Sequence, residues 1–223
     1  MPKVIFKFDK EKDLYNIWET CNFKSNWSNN FKKGIPEKII ELCENKKFDE
    51  IKKELEKYQK RIHSLELIPI IEKSFNESWN KINKEFFKRL EKIMKQPFCC
   101  KEVTGYLTSV SRCPYNFKKE NASFFVPIFK GIPGAMHIAA HELIHIQFHN
   151  TYWKQVEEKI GEEKTADLKE ALTVLLNLEF KDLWIVPDKG YAPHEKLRKF
   201  ITQQWKKKKD FEVLLDKCVD YLK

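Results

Sequence analysis

The sequence predicts an α+β fold that is predominantly helical, and three observations predict it. Apolar patterning at helical spacing fills most of the first 96 residues, two short runs rich in strand formers follow between residues 104 and 129, and helical patterning then returns and continues to residue 222. The 223 residues are 42% apolar and 13% aromatic, which is enough to bury a core and too apolar for a disordered chain. Seventeen Phe and six Trp imply that aromatic packing dominates that core.

Taken in order, Val4-Ile5-Phe6-Lys7-Phe8 reads as a short strand, and residues 10 to 96 read as helix. Ile39, Ile40, Leu42 and Cys43 form an apolar stripe, continued by Ile51, Leu55 and Tyr58. Pro36 suits a first helical turn, and Pro69 marks a break or kink. Residues 70 to 94 carry Ile71, Phe75, Trp79, Ile82, Phe86, Leu90 and Ile93, an amphipathic helix with its apolar face toward the core. Residues 104 to 111 and 123 to 129 read as strands, the second at a sheet edge because Pro127 cannot donate to a ladder. Residues 131 to 134 read as a turn, and 135 to 150 as a buried helix containing four histidines. A helix over 162 to 183 turns Leu168, Leu172, Leu175, Leu176 and Leu178 inward, 187 to 190 form a loop, and 195 to 222 form a closing helix. The expected organisation is a mainly helical N-terminal region, 1–98, packed as one unit with a portion, 99–223, that carries the chemistry.

The formal charge is +9, from 42 basic and 33 acidic residues. The lysines are mixed with glutamates along the whole chain, and only residues 206 to 209 form a tight basic run, placed on a surface helix. With no recognition fold beside it, this charge reads as an ordinary solvated surface and argues against a nucleic-acid partner. None of the six cysteines forms a CxxC pair, and the adjacent Cys99 and Cys100 suit no disulfide framework. The start of the sequence lacks the apolar stretch of a signal peptide, and no apolar run approaches the length of a bilayer span. Sequons at Asn26, Asn76 and Asn121 are what Asn- and Lys-rich sequences generate by chance. A cytoplasmic location without a membrane partner is expected.

The chemistry is concentrated in His137-Ile-Ala-Ala-His141-Glu142-Leu-Ile-His145-Ile-Gln-Phe-His149. Residues four apart on a helix stand one turn above each other, so His141 and His145 can direct ring nitrogens to one metal ion. Glu142 lies one residue round from His141, near enough to contact a water on that ion without being a ligand. That is the logic of HExxH, in which two neutral imidazoles hold zinc and the carboxylate takes a proton from the polarised water. The histidines form a ladder with three HxxxH pairs, but only His141 is followed by Glu; Ile138 and Ile146 follow His137 and His145. His137 and His149 therefore fall to helix-end or supporting roles. Ala139, Ala140, Leu143, Ile144, Ile146 and Phe148 make this an apolar helix, in which unpartnered Glu and His would cost several kcal/mol.

A catalytic zinc needs a third protein ligand and one open position. Phe148 and Thr151 stand where HExxHxxGxxH would need Gly and His, which excludes the metzincin pattern. A carboxylate on the following helix, or else a more distant residue, is then the expected ligand. The 157–158 and 162–163 glutamate pairs sit in charged, solvated sequence, whereas Glu170 lies among Ala166, Thr173, Val174 and Asn177 in an apolar stretch. Glu170 is favoured; Asp167 is the alternative, either as ligand or as hydrogen-bond partner to a ligand histidine.

Ala140-His141-Glu142-Leu143-Ile144-His145, followed after twenty-four residues by Glu170, resembles the gluzincin arrangement, and more closely the ImmA/IrrE-like group and the minigluzincins. The resemblance covers residues 104 to 183; Ile144 replaces the usual glycine of the ImmA/IrrE-like helix, and no Leu-Met-Pro follows the second helix. It implies a zincin-like core, with a short antiparallel or mixed sheet, a metal-binding helix and a glutamate helix, and a zinc peptidase acting on a peptide or protein. It also implies that the strand at 123 to 129 is the edge on which extended substrate lies, and that a Tyr or His stabilises the oxyanion, roles that fall to Tyr191 and His194 in Gly190-Tyr-Ala-Pro-His194. The expected function is zinc-dependent peptide hydrolysis with Glu142 as general base. The competing expectations are a catalytically inactive zinc-binding regulator, and a basic nucleic-acid-binding protein with a coincidental HExxH.

Overall fold

Alternate residues of three short strands face one way and build the floor on which the site rests. In a computed structural model that describes residues 1–24 and 31–223, β1 (Lys3–Phe8) pairs in parallel with β2 (Glu102–Thr108). The two-residue β3 (Tyr115–Asn116) runs antiparallel to β4 (Ser123–Pro127), which is parallel to β2, giving among the described residues the order β1-β2-β4-β3. Val4, Phe6, Val103, Leu107, Phe124 and Val126 point into the core from this mixed sheet. Gly105 is needed where the Phe6 and Phe124 rings close over the sheet, since a Cβ there would stand 2.9 Å from one ring and 3.0 Å from the other.

Between β1 and β2 run α1 (Lys10–Asn22), α2 (Glu37–Cys43), α3 (Phe48–His63) and α4 (Leu67–Met94). Asp9 caps α1 by accepting from the backbone of Glu11 and Lys12. Pro69 sits in the first turn of α4, where its missing N–H has no intrahelical partner to lose, so the helix runs unbroken through the expected break. The helix also covers the outer edge of β1: Asn76 accepts from Phe6 N at 2.9 Å and donates to Phe6 O at 2.8 Å, while Glu72 accepts from Phe8 N at 2.7 Å. An otherwise open ladder is thereby satisfied, and the Asn76 side chain of one sequon is committed to the fold. The Asn26 sequon lies outside the described residues.

Two apolar clusters result. The larger joins β1, α4, the sheet and the later helices around Phe6, Phe75, Trp79, Phe86, Phe124 and Phe180, and so takes in both ends of the 1–98 region. The smaller lies among α1, α2 and α3, with Leu14, Ile17, Cys21, Ile39, Ile51 and Leu55 meeting Val110. Asp13 ties this smaller unit to the end of β2. Wholly buried, it accepts from Thr108 Oγ1 (2.8 Å) and Ser109 N (2.7 Å) and stands 2.8 Å from His63 Nε2. Asp13→Ala should lower unfolding free energy by about 3–5 kcal/mol, since it strands these partners in the interior. Urea denaturation checks this, and a loss under 1 kcal/mol would contradict the role.

The second half departs from the expected boundaries in three places. Residues 131–134 are not a turn but the first turn of α5 (Gly131–Thr151), with Gly131 at φ +64° entering it and Pro133 inside it. After α6 (Trp153–Ile160), the expected helix over 162–183 is broken into α7 (Glu162–Leu172) and α8 (Leu175–Glu179). The break follows from local competition: Thr173 turns its hydroxyl to Glu170 O at 2.7 Å, and the backbone tightens into three-residue turns there. The closing helix is likewise two, α9 (Glu195–Lys207) and α10 (Phe211–Leu222), restarted by Asp210 accepting from Val213 N. Among the described residues no helix is long and apolar enough to cross a membrane.

Candidate metal centre

Each step of four residues along α5 carries a side chain about 40° further round the axis. Four histidines at that interval therefore cannot converge on one point; two neighbours can. His141 and His145 do so, their rings edge to face with centroids 4.4 Å apart. His137 turns to Asp188 (Nε2 to Oδ2, 3.1 Å). His149 stacks between Phe117 and Trp153, with its Nδ1 3.0 Å from Tyr115 OH.

Glu170, on α7, completes the group. Its Oε2 lies 3.5 Å from His141 Nε2 and 3.3 Å from His145 Nε2, and one ligand atom from each residue falls within 4.8 Å of the others. Donors bound at about 2.0–2.2 Å to one tetrahedral ion stand about 3.3–3.6 Å apart, so the spacing suits a metal. The chemistry of the atoms agrees. Among the described residues, His145 Nε2 and Glu170 Oε2 are buried without a hydrogen-bond partner, despite their proximity. Burying such atoms unpaired is costly, and a cation between them removes the cost. The three residues could thus hold a metal ion.

Lys169 settles which carboxylate oxygen is available. Its buried ammonium donates to Glu170 Oε1 at 2.9 Å and to Tyr115 OH at 3.2 Å, leaving Oε2 toward the histidines. Against the cost of burial, His145, His141 and Lys169 hold the Glu170 carboxyl well below the usual carboxylate range. Burial and the Lys169 charge depress His145 to about 3, which keeps the ring neutral as a ligand must be. Burial also opposes charge on His141, but its hydrogen bond with Asp188 and the nearby Glu170 and Glu142 carboxylates outweigh that and raise it to about 10, so a metal would bind there with loss of a proton.

Asp188 carries no signal in the sequence, where it lies inside an ordinary-looking Pro187-Asp-Lys-Gly190 loop. Its Oδ2 is 2.8 Å from His141 Nδ1, while Oδ1 is 2.7 Å from Arg198 Nη2 and 3.0 Å from Thr173 Oγ1. Asn177 fixes the loop by exchanging two 2.7 Å hydrogen bonds with the Asp188 backbone. Gly190, at φ +62°, lets Arg198 approach so closely that a Cβ would stand 2.7 Å from it. A carboxylate bonded to the far nitrogen of a ligand histidine fixes its orientation and tautomer. Asp188→Ala should weaken metal retention about 10–100-fold; chelator competition checks this, and unchanged affinity would remove Asp188 from the site.

Glu142 is buried beside His141, and burial first, then the nearby Glu170 and Asp188 charges, push its carboxyl up to about 7. It faces a cavity of about 590 Å³ that also exposes His141, His145, Glu170, Tyr115 and Tyr191. The α1–α2 side supplies Phe23 and Phe31 to the rim, so the N-terminal helices help to shape the opening. Burial keeps the Tyr191 hydroxyl protonated, well above the usual phenol range. His194 is placed differently: it is buried, its Nε2 is 2.9 Å from Asp167 Oδ1, and neither residue lines the cavity. Neither is among the three residues whose ligand atoms converge. The strand at 123–129 is also not the sheet edge expected, at least over its first three residues. The outer side of β4 is occupied by β3 and by Pro114 O, which accepts from Phe125 N, and no β4 residue lines the cavity; residues 111–115 flank it instead.

Compared with protein-family models, curated proteins and solved structures, the chain finds no match.

Proposed function

We propose that this protein is a zinc-dependent peptidase built on a zincin-like core, in which α5 supplies His141 and His145, α7 supplies Glu170, and Glu142 is the general base. The observation that carries the reading is the meeting of unpartnered His145 Nε2 and Glu170 Oε2 with His141 Nε2, beside a buried carboxylate that is not part of the ligand set. Two histidines and one carboxylate, with room for a fourth position, form a catalytic zinc donor set. Bound there, zinc supplies Lewis acidity toward a carbonyl and toward water.

The chain's own residues supply the rest. Glu142 takes a proton from the attacking water and returns it to the departing amine, a role for which a carboxyl near neutrality is suited. Tyr191 lines the same cavity, and its neutral hydroxyl is the candidate donor for the developing oxyanion. Residues 111–115 flank the cavity, in which a peptide can lie.

Incubation with an unstructured protein such as casein tests the activity. New peptide termini should form, cease with 1,10-phenanthroline, and return on adding zinc. Cleavage indifferent to the chelator would defeat the proposal.

A further inference from the structure

Cys99 and Cys100 lie between α4 and β2, on a different surface from the cavity above. Their Sγ atoms stand 3.3 Å apart. Cys99 is half-buried and Cys100 buried, and both line a surface concavity of about 690 Å³ with Met1, Lys84 and Lys88. The hydrogen bond between the two thiols and the Lys119 charge draw Cys100 below the usual thiol range despite burial. By contrast, Cys218 is pushed up to about 12 by burial. The other contiguous pair, Cys21 and Cys43, is wholly enclosed, with neither residue exposed.

The segment is also anchored. Cys99 N donates to Gln147 Oε1 at 2.9 Å, Gln147 Nε2 donates to Pro97 O at 3.0 Å, and Cys99 Sγ lies 3.9 Å from Ile146 O. Ile146 and Gln147 are the two residues of α5 that follow His145.

We propose that Cys99 and Cys100 are a redox modification site, a vicinal dithiol that a low-molecular-weight disulfide converts reversibly into a small ring disulfide. One thiolate attacks the reagent's S–S bond, forming a mixed disulfide and releasing one thiolate of the reagent. The second cysteine loses its proton to solvent and attacks the protein sulfur of that mixed disulfide, releasing the other. The protein loses two electrons and two protons, and the reagent leaves as two thiols. Closing a bond of about 2.0 Å asks the sulfurs to approach by about 1.3 Å. Adjacent Cα atoms are about 3.8 Å apart, below the usual span of a disulfide, so the ring is strained and readily reduced. That favours a reversible modification over a structural bridge. Because the segment is pinned beside His145, its movement would be felt by α5; the thiol chemistry itself does not depend on the metal assignment.

The test is incubation of the reduced protein with excess oxidised glutathione, then alkylation with iodoacetamide, tryptic digestion and mass spectrometry. The peptide spanning residues 96–101 should appear unalkylated and lighter by two hydrogens, and dithiothreitol should restore both alkylation sites. Cys99→Ser and Cys100→Ser should each stop at a glutathione adduct on the remaining thiol. Two alkylated cysteines in the treated wild type, or a persistent glutathione adduct there, would overturn the proposal. Phenylarsine oxide, which condenses with two thiols and releases water, gives an independent readout. Wild type should hold one equivalent at this pair against washing, and retention undiminished in either serine variant would also overturn it.

Discussion

Glu142→Gln is expected to lower peptide hydrolysis by about 10²–10⁴-fold while the zinc content stays that of the wild type. Gln keeps the size of the side chain but cannot take a proton from water or return it to the amine. The separation of the two readouts is what makes the variant informative. Glu142 is buried beside His141 yet outside the group of atoms that converge on one point, so its loss should spare the metal. Rates and metal content measured on the same preparation check this. Retained turnover would remove Glu142 from the chemistry, whereas lost metal would make it a ligand or a support.

His145→Ala and Glu170→Ala should act at the other end, each weakening metal affinity by more than ~100-fold, beyond what loss of a supporting hydrogen bond costs. Both side chains are nearly closed to solvent, and their facing atoms have no alternative partner among the described residues. Zinc at about 100 times its Kd should stabilise the wild type by about 2.7 kcal/mol, or roughly 5–11 °C in Tm for a chain of this size. Neither variant should show that shift at the same zinc concentration. Thermal melts with and without zinc check this, and a wild-type-sized shift in either variant would place the metal elsewhere.

What was legible in the sequence is the part that periodicity encodes. Four-residue spacing brought His141 and His145 to one face of α5, and the small, uncharged neighbours of Glu170 distinguished it from solvated glutamates. The α+β class and the short strands followed from local composition in the same way. The helix breaks at 173–174 and 208–210 did not, because Thr173 and Asp210 act through individual hydrogen bonds that leave the apolar period intact. Asp188 was illegible for a different reason: its partners come from α5, α8, α9 and the turn after α7, so only the tertiary fold assembles them. His194 and Asp167 look polar and available in sequence, but pair with each other outside the cavity lining. The edge assignment of β4 missed the two-residue β3, too short to leave a period.

The metal content of the native protein, purified without chelators and measured by elemental mass spectrometry, decides whether His141, His145 and Glu170 form a zinc site. About one zinc per chain, retained through gel filtration and regained after stripping, is expected. A chain that carries no zinc and takes up none on dialysis, or that holds iron in its place, would contradict it.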